Sequence, residues 1–235
     1  RDGLLEMGFA PERVEVIHNG VAPLRPSRDP VPAAQPRILC MGRLTPQKSV
    51  DVVIRALPRI LEREPNTRLD IVGQGPDRTR LERLAWSLGL AHQVRFHGYL
   101  PGWVRDDLAA RAWLAVCPSA REGWGLVCVE ASARGLPVVA ANVPGLRDAV
   151  RDGITGVLVP HGNSTALADA IVALFHDPER REEMGEAGRQ WAALHTWERS
   201  TSELVSSLTA QLSAPVAIPA DLYRSTPARA GLAFE

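Results

Sequence analysis

The chain has 235 residues, 45% apolar and 23% charged, the balance of a globular protein long enough to bury roughly 70% of its unfolded surface without disulfide staples. Twenty-seven Lys and Arg offset 27 Asp and Glu, and aromatics make up only 5%, which excludes a global basic field or a base-stacking surface for nucleic acid. Cys40, Cys117 and Cys128 are an odd number set within apolar runs. With no 18-residue apolar run and no signal-peptide pattern, they read as buried thiols of a reducing, cytoplasmic setting. The sequence opens on Arg1 rather than Met and is read as a fragment.

Residues 1–20 look like the end of a helix and a strand (VEVI) closing on the turn signal Asn19-Gly20. Residues 1–22 are therefore expected to be the remnant of a preceding domain. Residues 23–36 hold five prolines in fourteen positions and read as an interdomain linker. From Arg37 short apolar runs alternate with amphipathic segments. The runs cover 37–41, 68–72, 94–97, 113–117, 137–140 and 157–159, and several are near-continuously apolar, as strands covered on both faces require. Residues 49–63 place Val52, Val53, Ala56, Leu57 and Ile60 on one stripe, and 77–88 do the same with Leu81, Leu84, Ala85 and Leu88. Strand–helix alternation repeated five or six times predicts an α/β fold, a doubly wound parallel sheet of Rossmann-like type. Residues 166–174, 179–194 and 200–212 read as consecutive helices, and the proline-bearing residues 213–235 as a flexible tail.

Three turns could carry chemistry. In a doubly wound sheet ligands bind at the carboxyl ends of the strands. Gly42-Arg43-Leu44-Thr45-Pro46-Gln47-Lys48 follows the first strand and sets two cations there, a guanidinium fork and an ammonium suited to a diphosphate. Gly73-Gln74-Gly75-Pro76 tempts a dinucleotide reading, but Arg78 stands where the third glycine belongs, so it reads as a tight turn beside a ligand crevice. The segment from Pro118 to Ala131 runs from a strand end through Glu122, Gly123, Trp124 and Gly125 into a helix starting near Trp124 or Gly125. Its free amides and positive dipole end form a phosphate site. Glu122 lies in the loop and Glu130 about two turns into the helix, so the two carboxylates suit separate hydroxyl-bearing groups rather than a shared proton. Surface charges and an N-terminal capping role for Glu122 are the structural alternatives. Glu130, however, lies in the apolar run LVCVEASA, where a bare carboxylate is costly unless paired or ligand-bound. His18, His92, His97, His161, His176 and His195 are scattered without metal-ligand spacing, and only His18 reads as lining a cleft.

The ordered set GRL-x3-K, GxGP, PS-x2-EGxGLxxxEA, GxPVVA and DGxTGxLVP resembles the C-terminal, donor-binding half of retaining glycosyltransferases of family 4, which have the GT-B fold. The likeness covers residues 37–199, leaving 200–212 as a C-terminal helix. It implies that Arg43 and Lys48 hold a donor diphosphate and that Glu122 orients the transferred sugar, three residues counted as catalytic. It also implies that the backbone N–H groups of Gly125 and Leu126 contact the phosphates, with Gly42, Gly123 and Trp124 counted among the donor-binding residues, that Glu130 accepts from the ribose, and that the backbone of Gly98, Tyr99 and Leu100 meets the base. The donor implied is a UDP-, GDP- or ADP-sugar, with no metal or other cofactor. The acceptor, a sugar, lipid or small molecule, would be held by an N-terminal domain missing here, and the full enzyme could touch a membrane peripherally. The resemblance thus implies a hexosyltransferase whose fragment binds donor without efficient turnover. The alternatives are a non-catalytic nucleotide-sugar-binding or scaffold module, which would lack the donor residues, and a sugar-nucleotide epimerase of related fold, which would bring base residues of its own. Two departures stand out: Ser49 follows Lys48 where the family usually has glycine, and Ala22 replaces the usual aspartate after Asn19-Gly20-Val21.

Overall fold

The structure, a computed structural model, describes residues 2–22 and 32–213. After a short helix α1 (Asp2–Glu6), residues 14–20 form no strand, although Val14 has extended geometry. The strand expected at VEVI thus finds no ladder partner among the described residues, and an extended segment becomes a strand only against a neighbour's backbone. The proposed linker is described only from residue 32 and the proposed tail only at Ser213, so 23–31 and 214–235 lie outside the described residues. The described residues of that proposed linker are bonded to the body: Ala33 N–H donates to Arg111 O (3.1 Å), and Pro36 O accepts from Arg68 N–H (3.0 Å).

The alternation then runs as expected: β1 (Arg37–Met41), α2 (Val50–Leu61), β2 (Arg68–Val72), α3 (Arg78–Ser87), β3 (Val94–Gly98), α4 (Gly102–Arg111), β4 (Leu114–Cys117), α5 (Leu126–Ala133), β5 (Val138–Ala141), α6 (Leu146–Ala149), β6 (Gly156–Val159), α7 (Ser164–His176), α8 (Pro178–Ala193) and α9 (Trp197–Ser213). Trp113 falls just outside β4, its indole N–H donating to Ala33 O at 2.7 Å. Helices α4 and α6 were not anticipated. GWVRDDLAAR has no apolar stripe, and LRDA is a single turn.

The six strands form one parallel sheet in the order β3-β2-β1-β4-β5-β6. Strands β4 and β5 are buried at every position, as a sheet covered on both faces demands. One core gathers Ile38, Leu69 and Leu114 of the sheet with Ile54, Leu57 and Ile60 of α2 and Ile171 of α7. The other gathers Leu39, Ala115 and Val138 with Ala109 of α4, Val129 of α5 and Ala192 of α8. Asp70, buried on β2, is satisfied across three strands by Arg37 Nη1 (2.9 Å) and His97 Nε2 (2.6 Å).

Remote segments meet at one corner of this body. Val21 N–H donates to His195 O (2.9 Å), Val21 bridges Thr196, and Ser200 Oγ–H donates to His18 O (2.5 Å). The His18 ring lies 4.7 Å from Trp124 and 5.6 Å from His195, and His195 lies 4.9 Å from Trp124 and 4.7 Å from Trp191. Burial, reinforced by His18 and Arg199 nearby and opposed by Glu203, holds the His195 pKa below the ordinary histidine value. The fold therefore favours neutral His195. That stabilisation is complete above about pH 6.5, where the unfolded chain's histidine is also neutral, and is lost as pH falls from 6.5 toward the lower folded pKa. Melting temperatures of the parent and His195→Gln, followed from about pH 7.5 to 5, should show a steeper acid-side loss in the parent; parallel curves would deny His195 this role.

Candidate functional site

The strand order reverses between β1 and β4, and the crevice of such a sheet opens there, beyond the carboxyl ends. The turn after β1 and the loop after β4 meet at this point. Lys48 closes a 3-10 turn (Pro46–Lys48), and its ammonium pairs with Glu122 Oε1, the two side chains being 19% and 15% exposed. Ser119 Oγ–H donates to the same Glu122 oxygen at 2.7 Å, from a side chain almost fully buried. Gln47 ties the two loops again: its carbonyl accepts from Ala120 N–H (2.9 Å) and its amide donates to Arg121 O (2.9 Å). Arg43, on the same turn, is exposed; its carbonyl accepts from Thr45 N–H (3.1 Å), and its side chain makes no hydrogen bond or ion pair among the described residues.

The helix beyond this loop starts one residue later than expected. Gly125 is the N-cap, and α5 opens at Leu126, so Glu130 sits just over one turn in rather than two. The amides of Gly125, Leu126 and Val127 donate to nothing among the described residues, while the Gly125 carbonyl accepts from Cys128 N–H at 2.8 Å. These three donors stand at the positive end of the helix dipole, Gly125 buried and Leu126 and Val127 half-buried. Gly145 sets the far wall, at φ 81°: a Cβ there would fall 2.3 Å from Glu122 O, so the chain approaches the Glu122 loop only where no side chain intervenes.

The remaining expected residues lie around this centre. Gly73 N–H donates to Gly98 O (2.8 Å), and a Cβ on Gly73 would fall 1.8 Å from Gly42 O, so the GxGP turn locks the ends of β1, β2 and β3 together. Its glycines serve close backbone approach, consistent with the tight-turn reading. Gly98 ends β3, Tyr99 is 77% exposed, and Leu100 packs on the second core. Trp124 packs against His18 and His195, its indole nitrogen buried and without a hydrogen-bond partner among the described residues. Glu130 is not joined to the Lys48–Glu122 centre by any bond. Its half-exposed carboxylate is unpartnered among the described residues and lines a cavity of about 240 Å³ with Val21, Ala22, Trp103 and Arg105. A larger cavity, about 570 Å³, lies at the opposite, amino edge of the sheet near Trp113 and Leu136. There Arg181 stacks on Trp113 (4.5 Å) and donates to the Leu174 and Phe175 carbonyls, and Arg134 is paired with Asp106, so its cations are already satisfied.

Sequence reasoning missed the Lys48–Glu122 pair, which spans 74 positions and leaves no local signature, and the Ser119 support beneath it, for which the Pro118-Ser119 step before Glu122 was the available signal. All three cysteines are free and buried, as expected. Burial pushes the Cys40 thiol up to about 12, and a hydrogen bond from Cys128 to Cys117 raises Cys128 while lowering Cys117. Among the described residues no cluster of three or more His, Cys, Asp or Glu is placed to hold a metal ion, and no helix is long and apolar enough to cross a membrane.

Residues 26–191 match the family described as Glycosyl transferases group 1. The chain is 40% identical over 174 residues to a GDP-mannose-dependent alpha-(1-6)-phosphatidylinositol monomannoside mannosyltransferase of Mycolicibacterium smegmatis, covering 71% of this chain and 45% of that one. It is 40% identical over 213 residues to a D-inositol 3-phosphate glycosyltransferase of Kribbella flavida, covering 81% and 49%. In structure it is similar to HepE of Anabaena, solved in complex with UDP-glucose, with a TM-score of 0.76, 23% identity, and coverage of 89% of this chain and 61% of that one. That likeness places the parallel sheet with the GT-B glycosyltransferases in fold. The chain spans about half the length of the curated relatives it matches. A family match over well over half the sequence, on a sheet whose switch point holds the paired Lys48 and Glu122, makes this chain a member of the group 1 glycosyltransferases.

Proposed function

We propose that this chain is the C-terminal, donor-binding half of a retaining hexosyltransferase, taking a nucleoside-diphosphate sugar whose diphosphate rests between Arg43, Lys48 and the first amides of α5. The observation that supports this reading is that the turn bearing Arg43 and Lys48 and the loop entering α5, whose first three amides donate to nothing among the described residues, meet at the β1/β4 switch point. Cations and helix-end dipoles fixed before the reaction stabilise the negative charge that grows on a departing diphosphate without reorganising. On this reading Glu122, which Ser119 holds, accepts from hydroxyls of the transferred sugar, Glu130 accepts from the ribose, and Gly98, Tyr99 and Leu100 meet the base. The GDP-mannose of the mycobacterial relative and the UDP-glucose of HepE support a nucleotide-sugar donor, with the base left to experiment. The acceptor, a sugar, lipid or small molecule, is assigned to a second domain, of which residues 1–22 are the last piece and 23–36 the linker. On this reading the fragment binds donor but transfers sugar inefficiently. The full enzyme works in the cytoplasm, touching a membrane peripherally if its acceptor is a lipid.

The Lys48–Glu122 ion pair refines what each carboxylate should do. Glu122 competes with a phosphate for Lys48, so Glu122→Gln should bind the bare nucleoside diphosphate at least as tightly as the parent while losing affinity for the nucleotide-sugar. Glu130→Gln should weaken both ligands alike. Calorimetry with UDP, GDP and ADP and the corresponding sugars separates the two patterns, and identical profiles for both variants would refute this division. Lys48→Ala should weaken the diphosphate by about 10- to 100-fold, the range of a charge-assisted contact, and leave the free nucleoside within error. Equal losses for nucleoside and diphosphate would mean that Lys48 acts through folding instead.

A further inference from the structure

Among the described residues, Ser49 is the one non-glycine residue with a positive φ (φ 49°, ψ 36°), and it follows Lys48 directly. A side chain is strained in this left-handed region, and such strain persists only where the surroundings over-determine it. Ser49 is also the N-cap of α2, a position where a serine hydroxyl ordinarily accepts from an amide of the first turn. Here it makes no such bond. The side chain, 7% exposed, is turned instead to His161, with Oγ 3.2 Å from Nε2; Pro46 O lies at 3.5 Å, too far for a good bond. With the imidazole neutral and its proton on Nδ1 the hydroxyl donates, and with Nε2 protonated it accepts, so the bond survives either state. His161 comes from the loop after β6, at the far edge of the sheet, 112 positions away.

The Lys48 turn is therefore held from two sides, by Gln47 against the loop after β4 and by Ser49 against the loop after β6. We propose that His161 is a positioning residue: bonded to Ser49, it fixes the left-handed step that follows Lys48 and thereby aims the ammonium at a bound diphosphate. This inference rests on the donor-site reading above.

A double-mutant cycle tests it, because glycine adopts the left-handed region freely and should make the histidine dispensable. Calorimetry would compare UDP, GDP and ADP with their nucleosides on the parent, His161→Ala, Ser49→Gly and the double variant. His161→Ala should lose about three- to tenfold in affinity for the diphosphate, the scale of one hydrogen bond, with the nucleoside unchanged. Ser49→Gly should stay close to the parent, and His161→Ala should add no loss in that background. Unchanged diphosphate affinity in His161→Ala, an equal loss for nucleoside and diphosphate, or the same loss in both backgrounds would overturn the proposal while leaving the donor site standing. A lower melting temperature without the nucleoside–diphosphate split would assign His161 to stability alone and overturn it too. If the parent binds none of the three diphosphates, the donor-site reading itself fails and takes this inference with it.

Discussion

The reversal of strand order between β1 and β4 governs everything placed above the sheet. Helices leaving neighbouring strands on either side of the reversal go to opposite faces, so the two turns diverge and leave a crevice between them. Lys48 comes from one turn and Glu122 from the other, and they meet although 74 positions separate them. The same geometry brings the start of α5 to this edge, with its N-cap Gly125 buried against Leu146 and Ala149 and the body of the helix packed on the second core. The charged side chains sit on short turns clamped to strand ends, and both cores support those ends. Position in the site is thus set by the packing below it.

The charges at the centre hold one another. Glu122 neutralises Lys48 and is itself held by Ser119, so both long side chains keep a defined place. An ammonium and a carboxylate that are mostly shielded from water are costly apart and tolerable together. Arg43 and the α5 amides have no such substitute partner among the described residues. An incoming anion would meet donors already paired at one point and open at the others.

Much of the fold was readable because it depends on local regularities. The runs at 37–41 and 68–72 are strands with those bounds, since a doubly covered strand must be apolar almost throughout. The α2 stripe was readable because a helix on one face of a sheet needs it. Helix α4 escaped because GWVRDDLAAR buries little beyond Asp106 and Ala109, and VEVI misled because strand formation depends on a neighbouring chain. At the site, spacing located the two turns and the helix end. It was silent on the Lys48–Glu122 pair and on the left-handed Ser49, which exist only through contacts between remote segments.

The corner where residues 18–22 meet residues 195–200 has a mechanical consequence. Two segments fixed side by side at one spot behave as a two-point pivot: bending about the line joining them is easy, whereas twisting or sliding one past the other breaks the Val21–His195 and Ser200–His18 bonds. A torque applied through α9 is therefore shared with residues 18–22. The His18 ring lies tilted against Trp124, in the loop that leads to α5. Residues 18–22 and the loop before α5 therefore cannot shift independently without loss of the His18–Trp124 ring contact.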